Sequence, residues 1–234
     1  MPPPAITIAV DGPAAAGKGT LARRLAAALG YACLDTGLIY RAVAWAVLRA
    51  GGDPADDAAA TRAAESLNLA VLDDPAVVAE LRSDQIGQAA SQVAAVAAVR
   101  RAVLPLQRTF ARRPPGGQPG AVLDGRDIGT TVCPDAEIKI FVTASLDARA
   151  GRRHQELLSR GVKSIYGRVL EDMERRDALD RGRAVSPLIP ATDAWQLDTT
   201  ALDADQTFQR ALAYIRDHLA ARHGQRVSGP RATD

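Results

Sequence analysis

Residues 6–20 read Ile-Thr-Ile-Ala-Val-Asp-Gly-Pro-Ala-Ala-Ala-Gly-Lys-Gly-Thr, and this stretch decides the fold. Its first five residues are apolar or β-branched, which predicts a buried strand over 6–10. Residues 17–29 carry apolar side chains at helical spacing and are followed by Gly30, which predicts a helix with a glycine at its C-terminal end. A strand that leads through a glycine-bounded loop directly into a helix is typical of phosphate-binding α/β proteins.

The loop has the form Gly-x-x-x-x-Gly-Lys, with Gly19 standing between Lys18 and Thr20. Glycines let the backbone curve so that successive N–H groups point inward, and the helix N-terminus adds partial positive charge. Lys18 is expected to bridge the β- and γ-phosphates of ATP, and Thr20 is expected to lie near Mg²⁺. The predicted phosphate-binding residues are Gly12, Pro13, Ala14, Ala15, Ala16, Gly17, Lys18, Gly19 and Thr20.

Composition narrows the class of protein. Of the 234 residues, 47% are hydrophobic and 24% are charged, and the formal net charge is +2. A chain of this kind folds as one large domain or two small ones and has no overall attraction to nucleic acid or membrane. The two cysteines do not indicate a disulfide framework, and the three histidines are too scattered to form a metal cluster. No apolar run approaches the roughly 20 residues that span a bilayer. The N-terminus is unlike a signal peptide, so we expect a cytoplasmic protein.

The rest of the chain alternates short apolar segments with amphipathic ones. Further strands are predicted at 31–35, 67–72, 76–81, 121–124, 138–143 and 195–198. Further helices are predicted at 37–50, from there to Leu67, at 90–113 with a kink or break at Pro105, at 146–160, at 164–183, and from a capping box at Asp203 and Gln206 to about Arg222. This alternation predicts an α/β fold with a mostly parallel sheet and with ligands at the carboxyl ends of its strands.

Asp124 ends one of the predicted strands and is the candidate for holding Mg²⁺, through water. Since any strand can end in aspartate, this assignment depends on the phosphate loop. GTPases read their base with an Asn-Lys-x-Asp motif, and none of the three lysines lies in such a motif. Small phosphate-loop kinases fit both the chain length and the Gly-Lys-Gly-Thr ending of the loop.

Four further segments follow the loop: DTGLIYR at 35–41, ASQVA at 90–94, DGRDIGT at 124–130, and RDALDRGR at 176–183. In this order they make the chain resemble the bacterial cytidylate kinase family over roughly residues 5–220. The resemblance implies a P-loop NTPase fold with a five-stranded parallel sheet flanked by helices, a nucleoside-monophosphate-binding insert at about 60–95 and a short lid at about 150–185. It implies a single kinase domain over 1–224, and we expect residues 225–234 to be a disordered tail.

The implied reaction is ATP-dependent phosphoryl transfer to CMP and dCMP by a monomer without nucleic-acid or membrane partners. The attacking phosphate oxygen is already ionised at neutral pH, so the reaction needs positive charge, exclusion of water and Mg²⁺, and no general base. Arginine suits this chemistry because its planar fork binds phosphate bidentately and stays charged. The implied catalytic residues are Lys18, Arg41, Arg126, Arg176 and Arg183, with Thr20 and Asp124 at the metal.

Cytosine presents an amino donor at N4 and acceptors at N3 and O2, which a carboxylate and an arginine complement. The resemblance assigns Asp127, helped by Ser91, to the amino group and Arg100 to the ring acceptors, with Thr36 near the base. The residues alone favour helix or turn caps for Thr36 and Asp127, and a cap or a tolerated small residue for Ser91. The implied acceptor-binding residues are Thr36, Arg41, Ser91, Arg100, Arg126, Asp127 and Asp180.

Arg176, Asp180 and Arg183 share one helical face if that helix continues to 183. The spacing alone is compatible with an exposed ladder of ion pairs, whereas the resemblance implies that Asp180 binds the acceptor ribose and that the two arginines bind phosphates. Arg149, Arg152 and Arg153 could add charge to the lid, and the pattern does not choose among them.

The chain has Ala15 where the family often has Gly, so the backbone dihedral at this position decides whether the loop keeps its shape. Two other functions stay open at this point. One is a nucleoside-monophosphate kinase that prefers UMP or AMP, and the other is a nucleotide-binding regulator with a degenerate catalytic site.

Overall fold

The computed structural model describes residues 5–227, and a single sheet forms its centre. The strands are β1 (Ile6–Asp11), β2 (Ala32–Asp35), β3 (Gly120–Asp124), β4 (Ile138–Thr143) and β5 (Trp195–Asp198). Their order across the sheet is β2-β3-β1-β4-β5, and every neighbouring pair is parallel. The predicted α/β fold with a five-stranded parallel sheet is confirmed.

The helices pack around this sheet and connect its strands. They are α1 (Lys18–Leu29), α2 (Thr36–Arg49), α3 (Asp57–Glu65), α4 (Pro75–Leu81), α5 (Asp84–Val93), α6 (Ala97–Arg112), α7 (Leu146–Ser159), α8 (Tyr166–Arg181) and α9 (Ala204–Val227). The capping box is confirmed, since Asp203 and Gln206 exchange hydrogen bonds of 3.1 and 2.7 Å. Helix α9 covers residues 225–227, the start of the tail predicted to be disordered, and residues 228–234 of that tail lie outside the described residues.

The prediction of two short strands between 67 and 81 is wrong. Residues Leu69–Asp73 form a 3₁₀ helix, and α4 follows it. Asn68 and Asp74 cap these turns, each accepting a hydrogen bond from the backbone N–H two residues later, at 3.0 and 2.8 Å. The side-chain caps and a proline at the first position of α4 outweigh the β propensity of the apolar residues.

The helix predicted over 90–113 is instead two helices, α5 and α6, which meet at an angle of 101°. The chain bends at Val96, whose backbone is extended (φ −75°, ψ 116°), and not at Pro105, which lies inside α6. The bend lets Val93 and Val99, on its two sides, both be fully buried. Pro105 is tolerated because Arg101, whose carbonyl loses its helical partner there, is exposed.

Alternate residues of the strands face two apolar layers. Ile8 and Val10 pack with α1 and α9 on one side, while Ala9 packs with α6 and the segment after β3 on the other. Because all the strands run parallel, their carboxyl ends and the loops that follow them lie along one edge of the sheet.

In the part of the chain that the structure describes, no single helix has the length and apolar character to cross a membrane. The bent pair Asp84–Val93 with Ala97–Gly117 meets the criterion, on length and composition only.

Candidate active site

The loop after β1 curves tightly over the end of the sheet. Gly12 has a φ of 143°, and a Cβ at this position would lie 1.9 Å from the carbonyl oxygen of Val142, so only glycine fits here. Ala15 has a φ of 57°, in the left-handed region that costs an alanine roughly 1 kcal/mol. The loop therefore keeps its curvature at Ala15, but in a strained backbone conformation.

Lys18 opens α1 and folds back over the loop, where its Nζ donates a hydrogen bond of 2.8 Å to the carbonyl of Pro13. Burial lowers the pKa of Lys18 to about 7, with the Arg126 guanidinium acting in the same direction. Asp124, at the end of β3, opposes this shift, and burial raises its own pKa to about 6. The ammonium thus lies in an environment that lacks a full counter-charge and gains from a bound anion.

A cleft of about 980 Å³ opens above this loop. Residues 14–20 form one wall, and Arg41, Arg126, Arg176 and Ser91 contribute to the remainder. Asp124 lines the cleft between them. The structure therefore brings the predicted phosphate loop and three of the predicted arginines to the same cavity.

The three arginines are held in different ways. Nη1 of Arg41 donates to the carbonyls of Leu81 and Ser83, at 2.5 and 3.1 Å, so the turn before α5 positions this guanidinium. Nε of Arg126 donates to the carboxylate of Asp180 at 3.1 Å. Nε of Arg176 is buried without a hydrogen-bond partner, and burial, followed by repulsion from Arg126, lowers the pKa of Arg176 to about 10. This excess of positive charge suits a polyanionic ligand.

Behind the cleft wall, Asp180 is shared between two arginines. It is 1% exposed, accepts from Arg126, and also pairs with Arg183. Burial acts to raise the pKa of Asp180, but Arg126 and Arg183 outweigh it and the pKa lies below its ordinary value. The expectation that one helix carries all three predicted residues is wrong, since α8 ends at Arg181. Arg183 reaches Asp180 from beyond the end of the helix.

A second buried pair joins Arg100 of α6 to Asp127, which follows β3. The two side chains are 8% and 6% exposed, so their charges are largely removed from water. The guanidinium of Arg100 also lies over the ring of Tyr40, 5.4 Å from its centroid, and donates to the carbonyl of Ala94 at 3.3 Å. The two residues predicted to read a base are thus paired with each other.

None of the side chains of Thr36, Asp127 and Ser91 caps a helix. Thr36 is the first residue of α2, and Asp35 is the N-cap residue before it. The Oγ1 of Thr36 donates to the carbonyl of Asp124 at 2.7 Å. Asp127 precedes a π-helical turn without making a side-chain cap. Ser91 lies inside α5 and donates to the carbonyl of Gly87 at 3.3 Å.

The fit of Mg²⁺ can be tested on the residues that line the cleft. Oδ1 of Asp124 is buried without a hydrogen-bond partner, and a Cβ on Gly19 would lie 3.1 Å from its Oδ2, so the carboxylate faces the loop. Thr20 is exposed in the same cleft. Within residues 5–227, no group of three His, Cys, Asp or Glu side chains could hold a metal. A single carboxylate and a hydroxyl fit Mg²⁺, which retains waters and shares phosphate oxygens with a nucleotide.

Two carboxylates of this region were not predicted as site residues. Asp35 ends β2 directly opposite Asp124 in the sheet and lines the cleft. Asp11 ends β1, accepts from the backbone N–H groups of Ile128 and Gly129 at 2.8 and 2.7 Å, and has its pKa raised to about 7 by burial. Both end strands as Asp124 does, so the same sequence signal was available for all three.

Of the three arginines left open in α7, Arg152 and Arg153 line the cleft. Arg153 is already paired with Asp84 and Glu156. Arg149 is buried behind the phosphate loop, paired with Asp177 of α8.

Comparison with known proteins gives one consistent result. Residues 8–217 match the family model described as cytidylate kinase. A cytidylate kinase of Paramagnetospirillum magneticum is 60% identical over 208 residues, which cover 89% of this chain and 96% of the relative. One from Rhodospirillum rubrum is 57% identical, covering 88% and 94%, and one from Xanthobacter autotrophicus is 53% identical, covering 93% and 100%.

Proposed function

The chain belongs to the cytidylate kinase family, and from this premise we propose that it transfers the γ-phosphoryl group of ATP to CMP and dCMP, giving ADP and the pyrimidine diphosphate. One observation carries the proposal. The phosphate loop and the group formed by Arg41, Arg126 and Arg176 line one cleft, with Asp124 between them. Two nucleotides can therefore meet there with their phosphates facing each other.

On the donor side, the N–H groups of residues 14–20 and the N-terminus of α1 bind the ATP phosphates. Lys18 exchanges its hydrogen bond to the Pro13 carbonyl for the β- and γ-phosphates. Mg²⁺ would be held by Thr20 and, through water, by Asp124, and when bound it neutralises charge that develops on the transferred group. The unpartnered Oδ1 of Asp124 supports this assignment.

On the acceptor side, Arg41, Arg126 and Arg176 bind the CMP phosphate. The three guanidinium groups neutralise the negative charge of this phosphate. Its attacking oxygen is already ionised, so no residue has to remove a proton from it. Arg183, paired with Asp180 beside Arg126, adds positive charge next to this group. These side chains align the attacking oxygen and exclude water, which would otherwise compete as acceptor.

Asp127 and Arg100 read the base. The carboxylate of Asp127 accepts from the amino group at N4 of cytosine, with Ser91 beside it, and Arg100 donates to the ring acceptors. Uracil places an oxygen where cytosine has this amino group, so it would leave the Asp127 carboxylate facing another acceptor. The low exposure of both side chains supports strong discrimination, because a mismatched group is not rescued by water.

Asp180 binds the ribose, and Thr36 holds the end of β3 in place beside the base. A carboxylate that accepts from the 3′-hydroxyl as well as the 2′-hydroxyl serves both CMP and dCMP. Helices α3–α5 then form the acceptor-binding insert, and α7 and α8 form the lid. The contact between Arg153 of α7 and Asp84 of α5 joins these two parts across the cleft.

An ADP-release assay with ATP and equal concentrations of CMP, dCMP, UMP or AMP tests the proposal. We expect CMP and dCMP to turn over at least about tenfold faster than UMP, the size expected for a mismatched hydrogen-bonding edge. Faster turnover of UMP or AMP would contradict the assignments of Asp127 and Arg100. ATP binding without turnover of any acceptor would instead indicate a nucleotide-binding regulator.

A further inference from the structure

Arg149 lies outside the machinery proposed above, yet its guanidinium is more completely bonded than any of the proposed phosphate ligands. It is 3% exposed and lies behind the phosphate loop, whereas residues 14–20 face the cleft. Its Nε donates to the carbonyl of Ala144 at 3.1 Å, and its two Nη atoms form a fork on the carboxylate of Asp177, at 3.1 and 2.7 Å. Arg149 therefore joins the end of β4 to helix α8.

Nη1 of Arg149 also donates to the carbonyl of Ala14, at 3.3 Å. The peptide bond that follows this carbonyl is trans, so the Ala14 C=O and the Ala15 N–H point in opposite directions. A donor that holds the carbonyl from behind the loop consequently aims the N–H of Ala15 toward the cleft. This is the direction required of a group that binds a phosphate oxygen.

Ala15, on the far side of this Ala14–Ala15 peptide, is also the strained residue of the loop. Ala15 adopts a left-handed φ of 57°, which an alanine does not hold without support from its surroundings. The hydrogen bond from Arg149 fixes the peptide plane on one side of this residue. The carbonyl of Ala16 is held in a similar way, since the hydroxyl of Thr199 lies 3.1 Å from its oxygen. The same hydroxyl accepts a hydrogen bond from Arg152.

We propose that Arg149 is a positioning residue for the donor site: it holds the Ala14–Ala15 peptide so that the Ala15 N–H faces the ATP phosphates. Asp177 fixes the guanidinium and ties it to α8, the helix that also carries Arg176 and Asp180. The inference rests on the proposed function, because it assigns ATP phosphates to the loop.

The test measures ATP binding to the full chain in the absence of CMP, by calorimetry, together with thermal unfolding of each variant. Arg149→Met removes the donor to Ala14, and the double variant Arg149→Met with Asp177→Leu does so without leaving a buried carboxylate unpaired. Asp177→Asn is the matched control, since it weakens the same buried pair but leaves Arg149 able to donate to Ala14.

We expect both variants that lack Arg149 to raise the Kd for ATP about tenfold, the factor for losing one hydrogen bond to a charged group, here that of the Ala15 N–H to a phosphate. We expect Asp177→Asn to raise it less than about threefold, although its unfolding temperature also falls. A Kd that follows the unfolding temperature in all three variants, or one that is unchanged without Arg149, would overturn the inference. Failure of the unaltered chain to bind ATP would instead overturn the proposed function.

Discussion

The proposed donor half of the site, residues 12–20, and the proposed acceptor half, the arginines and their acidic partners, are built in opposite ways. The donor half is a backbone loop, shaped by Gly12 and held from behind by Arg149 and Thr199. The acceptor half consists of charged side chains, and two of its arginines are paired with carboxylates, Arg100 with Asp127 and Arg126 with Asp180. An acceptor nucleotide therefore has to take over partners from ion pairs, whereas in the donor half Lys18 gives up its hydrogen bond to the Pro13 carbonyl.

This contrast teaches where affinity and selectivity reside. Backbone N–H groups bind any phosphate in the same way, so the donor half contributes affinity without reading a base. The acceptor half contributes selectivity, since a nucleotide that replaces a buried ion pair incompletely leaves a charge unpaired. Variants of the two halves should therefore differ in which kinetic constant they change.

The largest effect is expected for Lys18→Ala, which removes the one ammonium of the donor half. We expect kcat to fall by about 10²–10³-fold, because the lost charge contacts the group in transfer and the backbone cannot replace it. The measurement is steady-state turnover with saturating CMP, and the circular dichroism spectrum should stay unchanged. Normal turnover would remove the loop from the mechanism.

A smaller effect, confined to the acceptor half, is expected for Asp127→Asn. The amide can donate to O4 of uracil as well as accept from N4 of cytosine, so the preference of kcat/KM for CMP over UMP should fall by about 10–100-fold. The Kd for ATP, measured without acceptor, serves as the internal control and should not change. An equal change in both quantities would show that the two halves are not separable.

A change of pH should alter the affinity for ATP a few-fold and leave the affinity for CMP unchanged. Burial lowers the pKa of Lys18 to about 7, and bound phosphates favour its charged form. The affinity for ATP should therefore fall roughly fivefold as the pH rises from 7 to 8, because the amine is then increasingly neutral before binding.

The affinity for CMP should stay constant between pH 7 and 8. The arginines around Asp180 hold the pKa of that carboxyl below its ordinary value, so its charge does not change over this range. The checks are calorimetric titrations with ATP and with CMP at each pH. Lys18→Met should lose the dependence seen with ATP, and a level ATP curve in the unaltered chain would contradict the shifted pKa.

The smallest effect is expected for Ala15→Gly. Glycine relieves the left-handed strain but gains freedom in the unfolded chain, so we expect a net increase of about 0.5 kcal/mol in the free energy of unfolding. Ala14→Gly is the matched control. The φ of Ala14 is not positive, so glycine relieves no strain there and only its greater freedom in the unfolded chain acts, which lowers stability. Thermal unfolding measures both, and the two variants should shift the midpoint in opposite directions.

The sequence was sufficient for those parts of the molecule that rest on local signals. The loop at 12–20, the parallel α/β sheet indicated by strands that alternate with helices, and the capping box at Asp203 all follow from spacing and residue type. The segment at 67–81 was misassigned because its apolar residues outweighed a visible signal, namely Asp74 followed by Pro75 at a helix start. The bend at Val96 could not be predicted, since it depends on burying valines from both adjoining helices.

The predicted side chains divide into two groups. The cleft is lined by Lys18, Thr20, Arg41, Ser91, Asp124, Arg126 and Arg176, whereas its lining does not include Thr36, Arg100, Asp127, Asp180 and Arg183. Arg149 could not be separated from Arg152 and Arg153 because all three lie within two turns of one helix, and only the fold decides which one is buried. The pairing of Arg100 with Asp127 links residues 27 positions apart, and no local pattern predicts it.

Strand β3 has a consequence for how such an enzyme can diverge. The Asp124 carboxylate interacts electrostatically with Lys18, and the backbone carbonyl of Asp124 accepts a hydrogen bond from Thr36. The backbone N–H of the next residue, Gly125, donates to the carbonyl of Val10 in β1. A displacement of this strand would therefore move residues of both proposed nucleotide sites at once. Evolution can then retune either pocket through its own helices, while substitutions beneath β3 would have to be accepted or rejected by both at once.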